Sequence, residues 1–554
     1  MIGVRVARTT SDFFVASRKV SPMWNASAIG GEYLSAASFL GIAGLILAYG
    51  VDMLWYPVGY TAGYLVLLVL IAAPLRRSGA YTLPDFAETR LASVAVRRCT
   101  TVFVVLIGWL YLIPQLQGAS LTLRTITGAP PWVGGLVVCA VVLLAALSGG
   151  MRSVTFVQAF QFWLKLCALL IPALFLVALA RDAGTPVVGD DPPRVRETTS
   201  VTVRGDAVVR LRGTQTYDIR GVVDGRRVAG PTELTRGRHV LGSGTEVTLA
   251  AGAEVPVRAD LPSTTDGEWA MPLGSHDEHP LYATYSLILA TFLGTMGLPH
   301  VLVRFYTNPD GRDTRRTTLA VICLLAAFYL LPTIYGVLGR RHAPDLLLGG
   351  TTDSAVLVLP ERLVGGVGGA LLGSLVIAGA FAAFLSTSSG LAISVAGALT
   401  QDVLRPRRRH VAAFRVGTLL AVVVPYVLSL FSEGLGVASV VGLAFAVAAS
   451  SFCPLLVLGV WWRGLTAVGA VTGLLVGGGV ATGAVLTTVF AGPQTGWLGA
   501  LLGQPAAWTV PLAFGVMIAV SLLTRRRVPA GVARTMVRLH LPESHHVARG
   551  ENVT

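Results

Sequence analysis

Long apolar runs dominate this chain, and they restrict its possible folds more than any other feature. Val66 to Ala73 lies inside a longer apolar stretch, Leu136 to Leu147 forms another, and Val468 to Thr488 a third. A helix needs roughly 20 mainly apolar residues to cross a bilayer. Segments of this kind are expected at 23–50, 54–75, 97–121, 131–149, 155–181, 279–304, 317–338, 366–400, 411–431, 436–459, 464–489 and 507–524. Of the 554 residues, 53% are hydrophobic and only 13% charged, too little polar surface for a soluble protein of this length. The expected fold class is an all-α integral membrane protein of about 12 transmembrane helices, with the lipid bilayer as its immediate partner.

The net charge is +14, which in a soluble chain would raise nucleic acid as a partner. Here the arginines gather in alternate loops: Arg76, Arg77, Arg90, Arg97 and Arg98; Arg152; Arg304, Arg312, Arg315 and Arg316; Arg405, Arg407, Arg408 and Arg409; Arg463; and Arg525, Arg526 and Arg527. The opposite short loops hold only Arg124, Arg340, Arg341 and Arg362. The positive-inside rule explains that asymmetry and puts both termini in the cytoplasm of a multi-pass cell-membrane protein. No nucleic-acid partner is expected, and no obligate protein partner is evident. The only lysines are Lys19 and Lys165, a scarcity read as compositional bias with no mechanism attached. Cys99, Cys139, Cys167, Cys323 and Cys453 lie in or beside apolar segments without metal-ligand spacing, so they are read as small hydrophobes.

The expected organisation is a cytoplasmic segment at 1–22, helices 1–5 at 23–181, an insertion at 182–278, helices 6–10 at 279–459, helices 11–12 at 460–524, and a cytoplasmic tail at 525–554. The insertion alternates apolar and polar residues in SVTVRGDAVVRLRG and TYDIRGVVDGRRV, with Asp224-Gly225 between two runs, a strong hairpin signal. It is expected to be a small β-rich extracytoplasmic domain, either a structural insertion or a module that captures substrate or a partner.

Three features inside the spans carry chemistry. Gly30-Gly31-Glu32-Tyr33-Leu34-Ser35 opens a stretch of glycines and small polar residues running to Gly41. Backbone opened inside a membrane persists only where it lines a cavity or binds an ion; close helix packing is the competing reading. Glu32 is a carboxylate within a span, and such groups usually mark ion or substrate paths. In the eighth span, Ser386, Thr387, Ser388 and Ser389 are consecutive hydroxyls. Ser386 and Thr387, with the carbonyl of Ala383, could supply the neutral oxygens a hard cation requires, or could bond their own helix. In the sixth span, Gly294 and Gly297 precede Pro299. Interruptions in the first and sixth spans, matching places in a five-plus-five inverted repeat, are a pointer to a transporter's binding site. His300 and Arg304 are read as polar anchors at a helix end.

These stretches resemble the sodium/solute symporter family, and its acetate-permease branch most. The matching text is GEYLSAASFLG, YTLPDFAETRL, LYLIPQLQGAS, GTMGLPHVLVRFYT, AAFLSTSSGLA, GLAFAVAASS and WWRGLTAVGAVTG. The resemblance implies a sodium site formed by the carbonyls of Gly31, Leu34 and Ala383 and the hydroxyls of Ser386 and Thr387, with Na+ as coupling ion and H+ as the alternative. It implies Ser38 as a substrate contact, to which Ser35, Gln115 and Thr295 are added. Many relatives carry an aspartate where this chain has Gln158, which argues against a further cation or proton relay there. Relatives also begin with an additional helix before SDFFVASRKVSP, so the natural start is expected upstream.

The implied function is cation-coupled symport of a short-chain monocarboxylate such as acetate, with no enzymatic activity. A half-helix N-terminus would offer backbone N–H groups to the carboxylate. The alternatives are a proton-coupled symporter of another small organic solute, and a transporter-like membrane sensor. The spans show no GxSxG, HExxH, Walker or paired-carboxylate pattern, against an enzyme or an ATP-driven pump.

Overall fold

The computed structural model describes residues 20–181, 192–259, 261, 265–273, 279–404, 410–431, 436–491 and 494–542. Nearly all of the expected N-terminal segment, the arginines at 405 and 407–409, and the end of the tail lie outside the described residues.

Among the described residues, ten helices are long and apolar enough to cross a membrane, or eleven when one bent pair is counted as a single span. That pair is α1 (Pro22–Tyr33) and the helical stretch Ala37–Tyr49, inclined at 73° to each other. The stretch opens with a π turn at Ala37–Gly41 and continues as α2 (Ile42–Tyr49). Leu34, at φ −73° and ψ 88°, leaves helical geometry. Gly30 and Gly31 weaken the helix just before this point, and the apolar halves on either side hold the bend in the core.

After α3 (Trp55–Val66) and α4 (Val94–Thr127) comes α5, a helix running without interruption over Pro131–Arg181. The sequence reading separates 131–149 from 155–181 at Gly149-Gly150. In the structure helical geometry continues through these glycines, so no loop separates the two stretches. Within this helix, the described stretch Val154–Ala180 is long and apolar enough to be a span, and the described stretch Pro131–Leu147 is apolar as well.

Residues 199–258 form a seven-stranded antiparallel sheet, β1 (Thr199–Thr202), β2 (Ala207–Leu211), β3 (Gln215–Val223), β4 (Arg226–Leu234), β5 (Gly237–Leu241), β6 (Glu246–Leu249) and β7 (Val257–Arg258). The strand order is β1-β6-β3-β5-β2-β7, with β4 pairing β3. Asp224 and Gly225 turn β3 into β4 with φ of 49° and 78°, the left-handed pair of a type I′ hairpin. Alternate residues such as Val209, Leu211, Ile219 and Val247 form a core that includes Leu348 from beyond the sheet. Trp269 Nε1 donates to Ile46 O at 2.6 Å, tying the segment after the sheet to the end of α2.

The second half of the chain begins with α6 (Pro280–Thr295) and α7 (Pro299–Phe305). They are separated at Met296–Leu298, where Pro299 cannot donate to the helix. Then follow α8 (Gly311–His342), α9 (Gly366–Ala398), α10 (His410–Ser429), α11 (Val437–Trp461) and α12 (Ala506–Leu523). The buried centre of the bundle is where α1, α5, α9 and α11 meet α6 and α7.

Candidate functional site

One face of α5 organises this centre. Thr155, Gln158, Phe162 and Lys165 recur at helical spacing and are buried, so they project toward α1 and α9. A Cβ on Gly31 would lie 2.1 Å from the carbonyl oxygen of Gln158. Only glycine there allows α1 to approach the α5 backbone, and this approach brings the open end of α1 within reach of the α5 side chains.

The ammonium nitrogen of Lys165 enters that opening. It donates to Gly31 O, to Leu34 O at 2.7 Å and to Ser386 Oγ at 2.6 Å. Ser386 Oγ also lies 2.6 Å from Gly31 O and 3.1 Å from Ala383 O. Thr387 Oγ1 donates to Glu32 O at 2.6 Å. The five groups expected around sodium, on Gly31, Leu34, Ala383, Ser386 and Thr387, are therefore gathered in one place. As packed, they do not fit a sodium ion: Lys165 Nζ bonds three of them, and the Thr387 hydroxyl is used by the α1 backbone. Lys165 is fully buried. Sequence reading gave it no role, although an ionisable residue inside an apolar span is itself a functional signal.

Glu32 lies one layer away and is paired. Arg304 Nε donates to Glu32 Oε2 at 2.6 Å and Arg304 NH1 to Thr155 Oγ1 at 2.6 Å; Arg304 NH2 donates to Gln158 Oε1. Gln158 Nε2 in turn donates to Ser386 O at 2.7 Å. Arg304, in the last turn of α7, and His300 are each only 1% exposed, so these polar groups at a helix end face the bundle interior. Gln158, noted in the sequence only as a lost aspartate, links the Arg304 pair to the Ser386 turn.

Beside the break stands a cluster of aromatic rings. Tyr33 meets Tyr64 edge-on at 5.0 Å and Tyr60 at 6.0 Å; Tyr60 lies 4.7 Å from Phe445; Tyr111 lies 5.1 Å from His300. The four residues expected to meet substrate border this cluster. Thr295 Oγ1 is 2.9 Å from Tyr33 OH, Ser38 Oγ is 3.0 Å from Tyr329 OH, and Ser35 lies beside Tyr111. Gln115 is engaged with the break itself: its Oε1 accepts from Ala36 N at 2.8 Å. One of the N–H groups expected to face a carboxylate is therefore already taken. Among the described residues, the hydroxyls of Tyr60 and Tyr64 and both ring nitrogens of His300 are buried without a hydrogen-bond partner. Buried polar groups are normally satisfied, so these orphans leave unused hydrogen-bonding capacity beside the break. They were not legible in the sequence, because single tyrosines in apolar helices resemble core.

The model of the Sodium:solute symporter family matches residues 13–201 and 245–477; the intervening gap falls within the β-sheet region. A monocarboxylic acid transporter of Corynebacterium glutamicum is 29% identical over 86% of this chain and 78% of its own. An uncharacterized symporter of Cupriavidus necator is 28% identical over 95% and 90% of the two chains. The uncharacterized symporter YwcA of Bacillus subtilis is 29% identical over 85% and 79%. Among solved structures, the fold is similar to a Na+-coupled sialic acid symporter in a substrate-bound outward-open state, with a TM-score of 0.58 at 14% identity over 94% of each chain. It is also similar to Mhp1, a nucleobase-cation-symport-1 family transporter, with a TM-score of 0.50 at 13% identity over 96% of this chain and 99% of that one.

Proposed function

Because the chain belongs to the sodium:solute symporter family, we propose that it is a secondary active transporter, not an enzyme, that moves a short-chain monocarboxylate such as acetate across the cell membrane with a cation. One observation carries this reading. A span broken at mid-course meets a cluster of buried, unpartnered hydrogen-bonding groups, Tyr60, Tyr64 and His300. Such a cluster suits a ligand with one charged end and a short apolar body. The carboxylate would accept from the two phenol hydroxyls, and its methyl or ethyl group would pack on Phe445 and the surrounding rings. Ser35, Ser38 and Thr295 would complete the wall. The name of the Corynebacterium relative supports the substrate class.

The proposal includes twelve spans in two five-helix repeats followed by helices 11 and 12, the domain limits given above, and cytoplasmic termini. Alternating access would use the bend between α1 and α2 and the interruption between α6 and α7 as the moving joints. The family's name makes sodium the first cation to test, and a proton the second.

Substrate binding is measured by ligand-induced thermal stabilisation of the purified chain with acetate, propionate, pyruvate and their uncharged amides. At least one acid should stabilise and its amide should not. Tyr64→Phe should weaken binding about tenfold or more, the cost of one hydrogen bond to a charged group. Stabilisation by amides alone, or unchanged acid binding in Tyr60→Phe and Tyr64→Phe, would remove the monocarboxylate reading.

A further inference from the structure

We propose that Lys165 is a tethered cation standing where an exchangeable sodium ion would otherwise sit, so that this chain neither binds nor needs sodium at that place. The inference rests on the symporter reading for its consequence in uptake, but not for the site itself.

The local chemistry is that of a cation site. Gly31 O and Leu34 O are carbonyls released by the break in α1, and a carbonyl can only accept. Ser386 has one hydroxyl proton, which Gly31 O or Ala383 O takes, and this leaves Ser386 Oγ free to accept. Three acceptors thus converge, and an ammonium group has three donors. Lys165 Nζ contacts all three. A nitrogen at the centre of the oxygen cluster excludes a metal ion from the same point on steric grounds, whatever else surrounds it.

Its position follows from the framework. Lys165 lies two turns beyond Gln158 on the face of α5 that packs against α1, and Gly31 lets the two helices close. The side chain is fully buried and emerges from an apolar helix, so it has no route to solvent along its own element. Leaving it without acceptors would carry a large desolvation cost. The oxygens at the break and the lysine therefore stabilise each other.

The test is direct binding of radioactive sodium to the purified full chain, paired with melting curves in sodium chloride against choline chloride. The wild type should show no saturable sodium binding and no sodium-specific shift in melting temperature. Lys165→Ala empties the cluster and should gain saturable sodium binding. Adding Ser386→Ala to that variant removes one ligand and should weaken the acquired binding about tenfold or more. Saturable sodium binding by the wild type that is lost in Ser386→Ala would overturn the proposal. So would a folded Lys165→Ala that behaves toward sodium as the wild type does. If neither variant folds, the wild-type measurement still decides. No substrate enters this assay, so a chain that ignores sodium yet transports no monocarboxylate would refute the function proposed above and leave this inference standing.

Discussion

Arg304 is held by Glu32, Thr155 and Gln158 at once, all in the bundle interior. Removing one partner of a buried ion pair leaves the other charge uncompensated, at a cost of about 3–5 kcal/mol. Arg304→Ala should therefore melt far below the wild type, while Glu32→Gln with Arg304→Met should recover much of the loss. Equal melting temperatures for wild type and Arg304→Ala would show that water already screens the pair. The double variant also separates two roles for Glu32. If it folds and transports, the carboxylate is structural; if it folds and is inert, the ion-path role proposed for Glu32 gains support. The residues of this centre were unequally legible. Glu32, Ser386 and Thr387 announce themselves as polar groups in apolar runs. Lys165 does too, but its partners on α1 lie more than 130 positions away in the chain, and only the fold brings them together.

The break between α1 and α2 is the element on which the site depends. The sequence GGEYLSAASFLG marks it, since glycines and small polar residues interrupt an apolar run. How the freed backbone is satisfied was not legible, because it requires Gln115 from another helix. Gln115→Leu should leave the Ala36 amide buried and unbonded, lowering stability by about 1–3 kcal/mol. A melting temperature equal to the wild type would mean that Ala36 has another acceptor. A second element-level contact joins the segment after α8 to the start of α11, where Asp353 Oδ2 accepts from Val437 N at 3.0 Å. Burial pushes the Asp353 carboxyl up to about 6, and the bond from Val437 pulls the other way. A carboxyl raised above its ordinary value contributes stability that is full below that ordinary value and is lost as pH rises through about 6. The wild type should therefore lose stability between about pH 4 and pH 7 relative to Asp353→Asn, which keeps the acceptor without the charge. Parallel melting curves for the two proteins across that range would refute this.

At the scale of the whole molecule, the helical class was legible because a bilayer demands runs of fixed length. The unbroken course of α5 was not, because a Gly-Gly pair reads as a turn whether or not neighbouring helices hold it helical. The sheet region docks on the bundle through Trp269 and Leu348, so its side of the membrane fixes the orientation of the rest. From the arginine distribution we propose that it lies outside. Ser243→Cys, at an exposed turn of the sheet, should react with a membrane-impermeant thiol reagent in intact cells when the native cysteines are absent. Reaction only after lysis would invert the orientation. The central claim is coupled transport of a small organic acid, and uptake tests it most directly. Proteoliposomes holding the purified chain would be given labelled acetate, propionate and pyruvate under sodium and pH gradients imposed separately. The account predicts that at least one acid accumulates above its equilibrium level and that dissipating the driving cation gradient abolishes the accumulation. Passive equilibration under both gradients, or no uptake of any acid by correctly inserted protein, would contradict it.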